Sequence, residues 1–110
     1  MTRKRYFPVH VETLTAWSGY IKLGEVAALC GIHPELVDRF VRLGLIDPVG
    51  RDSDEGQWIF HRETLGVVKK ILRLRNELGI NYVGVGVVLE LLSRIEFLEE
   101  RIRQLENELS

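Results

Sequence analysis

Along the last third of this chain, apolar residues recur at Val88, Leu91, Ile95, Leu98, Ile102, Leu105 and Leu109, in alternating steps of three and four. That spacing is a heptad seam, with β-branched residues at three of its a positions and leucine at every d position. Upstream, Val67, Val68, Ile71, Leu74 and Leu78 form one stripe over 62–78, with Lys69, Lys70 and Arg73 away from it, which predicts an amphipathic helix. Gly79 stops that helix and Asn81 caps the next. The stretch Tyr82-Val83-Gly84-Val85-Gly86 is strand-like by propensity, yet it runs unbroken into the heptads and is read as helix.

Nearer the N-terminus the pattern breaks into short pieces. Gly24 to Cys30 predicts a short helix with Val26, Leu29 and Cys30 at helical spacing, ended by Gly31. His33 then stands at an N-cap, Pro34 at the favoured first position and Glu35 in the first turn, where the helix dipole favours an anion. The second helix, 34–43, buries Val37 and Phe40 as an i, i+3 pair and leaves Glu35, Asp38, Arg39 and Arg42 toward solvent, with Leu36 and Val41 beside them. Gly44 and Pro48 close it. Residues 49–60 read as a ribbon with a polar, glycine-bearing loop and the β-prone Trp58-Ile59-Phe60. In the first 19 residues, Tyr6 to Val11 has β-type composition, and Leu14 with Trp17 suits one helical turn.

The expected fold is mainly α: an N-terminal extension (1–19), a winged helix-turn-helix domain (20–80) with a small β-ribbon wing, and a C-terminal helical dimerisation segment (81–110). A heptad stripe on a terminal helix has to be covered, and its outer half reaches past any plausible core. A homodimeric coiled coil is therefore expected. Arg94 and Arg101 at g, with Glu99 and Glu106 at e, favour a parallel pair by a few tenths of a kcal/mol each.

Charge changes what such a module is expected to do. The net −1 of this 110-residue chain is segregated: about +2 over 1–19, −3 over 20–61, +3 over 62–80 and −3 over 81–110. A surface that neutralises phosphates concentrates Lys and Arg, so an acidic module disfavours DNA as partner. The single cysteine, Cys30, permits no internal disulfide. Pro8, His10 and Glu12 interrupt what would have to be the apolar core of a signal peptide, and no run approaches a membrane span; the cytoplasm is the expected location, without membrane contact.

Chemistry finds little support. His10, His33 and His61 fall on different elements, Cys30 sits on an apolar face, and no ligand-spaced pair or phosphate loop is present. No catalytic residue, metal, cofactor or small-molecule ligand is expected, and the chain is read as a non-enzyme.

The run from Tyr20 to Leu92 resembles the MerR superfamily, whose members typically read G-V-S-P-x-T-L-R-Y-Y-E-R-x-G-L-L-x-P. Gly31-Ile32-His33-Pro34 and Arg42-Leu43-Gly44-Leu45-Ile46-Asp47-Pro48 match that frame, while Leu36, Asp38 and Val41 replace its Thr, Arg and Glu. In the wing, Trp58 stands where DNA-binding members carry arginine, behind Asp52, Asp54 and Glu55. A narrower resemblance is to the chaperone-modulator CbpM family, through Trp58-Ile59-Phe60, Leu72 to Leu78, and Asn81-Tyr82-Val83-Gly84-Val85 leading into the heptads. That resemblance implies restraint of a DnaJ-type co-chaperone, with an acidic surface binding the basic J-domain helix that otherwise engages DnaK. The candidate partner-binding residues are Glu35, Leu36, Asp38, Arg39, Val41, Asp54, Glu55 and Trp58. The alternative is a DNA-binding repressor resembling HspR, the MerR-type heat-shock regulator, which Arg39, Arg42 and Arg51 keep open.

Overall fold

Proline at the head of one helix and left-handed glycines at the ends of two set the beginning of the domain. A computed structural model describes residues 19–110 and the backbone of residues 7–9. The elements run β1 (Phe7–Val9), β2 (Tyr20–Lys22), α1 (Leu23–Cys30), α2 (Pro34–Arg42), β3 (Gly50–Asp52), β4 (Trp58–His61), α3 (Thr64–Leu78) and α4 (Tyr82–Leu109). The reading of Leu14 and Trp17 lies outside the described residues.

Gly31 and Gly44, at φ 67° and 75°, take the left-handed conformation that closes α1 and α2 at little steric cost. At the head of α2, His33 Nδ1 accepts the Glu35 N–H at 3.1 Å, and Pro34 occupies a position whose missing N–H would have had no helical partner. Val37 and Phe40 are buried, as their spacing predicts. The inward arc of α1 differs from the expected one: Val26 and Ala27 are buried, Leu23 and Cys30 pack beside them, and Leu29 is 60% exposed. α1 meets α2, α3, β2 and β4, so its buried arc centres on Val26 and Ala27 and turns Leu29 outward.

The ribbon is part of a four-stranded sheet in the order β1-β3-β4-β2. β3 and β4 are antiparallel with Arg51 opposite Trp58, β2 lies antiparallel to β4 with Ile21 opposite Phe60, and β1 is parallel to β3. Ile21, Ile59 and Phe60 are fully buried, which seats the wing on the helices.

α3 begins two residues later than its pattern predicts, because Arg62 and Glu63 form a turn whose carbonyls accept the Leu65 and Gly66 amides at 3.1 Å. Its buried line is Val68 and Ile71, with Leu65, Leu72 and Leu74 against the core; Val67 and Leu78 are exposed. After Gly79 the chain turns by 114° into α4. Asn81 caps α4 by accepting the Gly84 N–H at 2.8 Å, so the glycine-valine stretch is helical.

The core joins Ile21, Val26, Val37, Phe40, Ile46, Phe60, Val68, Ile71 and Val85. Tyr82 closes one side of it, its ring meeting Phe40 edge to face at 5.0 Å. α4 passes close to the turn after α2: a Cβ at Gly86 would lie 3.0 Å from Leu45 Cδ2. Val85 is the last fully buried residue and Leu89 packs at the rim, after which α4 leaves the domain. No single helix among the described residues is long and apolar enough to cross a membrane.

Candidate functional site

The eight candidate partner-binding residues fall into two groups, five on α2 and three on the wing. On α2, Glu35, Asp38, Arg39 and Arg42 line a shallow depression. Asp38 is half-buried and ion-paired with Arg42, Oδ2 to Nε, at 2.8 Å. Arg39 places its guanidinium 5.6 Å from the centre of the Tyr82 ring, and Arg75 stands at the same distance from that ring. Leu36 and Val41 are half-buried and packed against the core, so only part of each is open to a partner.

The wing loop is wound around one carboxylate. Asp52 Oδ1 accepts the backbone N–H groups of Asp54, Glu55 and Gly56, and Oδ2 accepts that of Gln57. These donors, Glu55 foremost, hold the Asp52 carboxyl below the usual carboxylate range although burial acts in the opposite sense. Asp54 and Glu55 are thereby presented outward at the tip. Gln57 faces two ways: its Nε2 donates to Glu55 Oε2 at 2.8 Å, and its Oε1 accepts the Gly24 N–H at 2.7 Å. Gly24 lies in the first turn of α1, where an amide has no carbonyl of its own helix to bond, so Gln57 ties the wing to α1.

Trp58 is half-buried, with the Arg51 guanidinium carbon 3.7 Å from its ring centre, and Arg51 Nη1 also donates to the Gly56 carbonyl at 3.2 Å. The outward face of this tryptophan is thus a stacked cation and indole, not a bare aromatic. Sequence reasoning missed this pairing and the Gln57 link. Arg51 and Trp58 are cross-strand partners once the ribbon register is known, but the loop length alone leaves that register open.

The seam residues Leu91, Ile95, Leu98, Ile102, Leu105 and Leu109 are all exposed, whereas Val88 is half-buried. Toward the domain the exposed line continues through Val87 and Val83, which border a groove with Leu43, Leu45 and Gly86. The steps of four from Val83 to Val87 to Leu91 were readable in the sequence but were hidden behind the heptad register. Ion pairs Glu90–Arg94 and Glu100–Arg103 lie along the same helix.

Among the described residues no cluster of three or more His, Cys, Asp or Glu is arranged to hold a metal ion. Burial pushes the Cys30 thiol up, with nearby Lys69 opposing, which disfavours the nucleophilic thiolate.

A short helix pair, a wing seated on it, two further helices and an emergent apolar tail together define a helix-turn-helix regulator. The chain belongs to the family described as MerR HTH family regulatory protein, which it matches over residues 21–107. Within that family it is similar to the chaperone modulatory protein CbpM of Escherichia coli (strain K12 / DH10B) and of Shigella boydii serotype 18 (strain CDC 3083-94 / BS512). Each is 35% identical over 80 residues, 73% of this chain and 77% of the relative.

Proposed function

We propose that the protein is a chaperone modulator without chemistry of its own, binding the J domain of a DnaJ-type co-chaperone and restraining it. The observation that carries this reading is where the arginines of the DNA-facing scaffold go. Arg42 pairs with Asp38 while staying largely exposed, and Arg51 lies on Trp58, so two cations that a MerR-type DNA reader would turn to phosphate each have a partner within the chain. The outward charges at α2 and the wing tip include Glu35, Asp54 and Glu55. Such a surface complements a basic helix, and complementary fields speed encounter and select partner. The likeness to a chaperone modulatory protein supports a partner within the chaperone machinery.

The same reading includes a homodimer joined along the α4 seam.

Retention on an immobilised J domain tests the proposal. Glu35→Lys and Glu55→Lys both lie at exposed positions, and together they should weaken retention at least tenfold, the effect growing as salt is lowered. Unchanged retention with an unchanged thermal midpoint sinks the binding face. A sequence-specific shift of a promoter fragment at physiological salt, with no J-domain retention, would make the chain an HspR-like repressor instead.

A further inference from the structure

Where α2, the end of α3 and the start of α4 meet, two cations converge on one aromatic ring. Arg39 of α2 and Arg75 of the last turn of α3 each hold the guanidinium carbon 5.6 Å from the centre of the Tyr82 ring, at the head of α4. The two carbons therefore stand no more than about 11 Å apart, close to one screening length at ordinary salt.

Neither cation has an acid of its own. Among the described residues Asp38 pairs with Arg42, Glu90 with Arg94 and Glu100 with Arg103, while Arg39 and Arg75 enter no ion pair and donate no side-chain hydrogen bond. Glu35 stands four residues before Arg39, the spacing at which a helical ion pair forms, yet Arg39 lies at Tyr82 instead. Arg75 is half-buried, so a group with five donors is partly withdrawn from water with no acceptor supplied in return.

The ring that gathers them is fixed. Tyr82 meets the fully buried Phe40 edge to face at 5.0 Å, and a guanidinium at an aromatic ring is held by the attraction between them. Forks held in place before a ligand arrives lose less freedom on binding, and their geometry suits a carboxylate. Two like charges this close add their fields, so an anion entering beside the ring is drawn by both. Glu35 and Asp38 border the depression next to Arg39 and repel a dianion more than a monoanion, which favours a carboxylate over a phosphate.

We propose that Arg39, Arg75 and Tyr82 form a cationic notch that takes a carboxylate side chain of the protein partner. The inference rests on the reading of the acidic face given above: Glu35 and Glu55 meet the partner's basic helix, and the notch takes an acidic residue beside it. The docking face is then two-signed. A helix laid across it in the reverse direction sets like charges against each other, so the notch fixes orientation.

The sign of one substitution separates the notch from general attraction. On an immobilised J domain, Arg75→Gln and Arg39→Gln should each weaken retention about fivefold with an unchanged thermal midpoint, and Arg75→Lys should recover only part of the loss. A face that merely attracts a basic helix gains retention when a cation is removed, so equal or tighter binding overturns the notch. A second measurement needs no partner. Acetate added to the full chain at constant ionic strength should move the Arg39 and Arg75 Nε–H resonances along one saturating curve, and Arg75→Gln should flatten the Arg39 response. Inorganic phosphate should bind within about tenfold of acetate; tighter binding gives the site to a phosphate-bearing ligand and overturns the carboxylate assignment. Absent or unlinked acetate curves overturn it as well. Saturating acetate curves in a chain that the J domain does not retain would remove the partner reading and leave the notch standing.

Discussion

Asp52 does more for the wing than any acidic residue at its surface. One carboxylate collects four successive backbone amides and so replaces the water that a tight loop would otherwise need. Asp52→Asn keeps the shape but loses the charge that makes those bonds strong, and the Asp54 to Gln57 amides should lose protection in exchange experiments while the core keeps its own. The pH dependence follows from the sign of the shift. The folded carboxyl titrates below its unfolded value of about 3.9, so its contribution is complete above that value and is lost as pH falls through the lower folded one. An acid titration followed by the backbone amide shifts of the loop should show a transition below pH ~3.9 that Asp52→Asn lacks. The residue was legible only as one of several acidic letters in a loop; its role needs the loop geometry, which turns Asp52 inward and Asp54 and Glu55 outward. Asp38 is a similar case. The sequence distinguishes it from the family's arginine, but not that Arg42, one turn on, takes up its charge.

At the level of elements, the strongest signals were local. Pro34 and Gly44 bracket α2, Gly79 and Asn81 bracket the turn into α4, and each acts through a backbone conformation that neighbouring residues scarcely influence. The faces of α1 and α3 were less readable, because Leu29, Val67 and Leu78 are apolar letters that the packing leaves outside. Burial depends on which neighbours an element meets, and a helix with apolar residues on more than half its circumference does not announce its inward arc. The strand Tyr20–Lys22 was invisible for a related reason: three residues carry no usable period, and pairing with β4 alone defines it. α2 is held mainly by Phe40, fully buried between the sheet and Tyr82. Phe40→Ala should cost about 3–5 kcal/mol in the midpoint of chemical unfolding, enough to leave a domain of this size barely folded.

For the whole molecule, the dominant asymmetry is between a packed domain that ends near Leu89 and a helix that continues to Leu109. The roughly 20 residues beyond the rim reach about 30 Å into solvent at 1.5 Å per residue. An isolated helix of that length is marginal in water, so the tail draws its stability from whatever covers Leu91, Ile95, Leu98, Ile102 and Leu105. A second copy supplies that cover in the proposed assembly. Leu98→Asp together with Ile102→Asp should then halve the sedimentation mass and lower the helical signal in circular dichroism while the winged domain keeps its fold. An unchanged mass would remove the homodimer.

In the proposed homodimer, the emergent tail also ties the state of this protein to its abundance. When a helix gains its order from another protomer, the ordered fraction follows mass action, and a fall in copy number below the dissociation constant frays the tail before the domain is affected. Two winged domains on one dimer also act as a linked pair, so a partner that presents two sites is held far more tightly than by either domain alone. In that proposed assembly, expression level sets the valence of the modulator as well as its amount, and the response to a change in abundance is expected to be steeper than one-to-one capture allows.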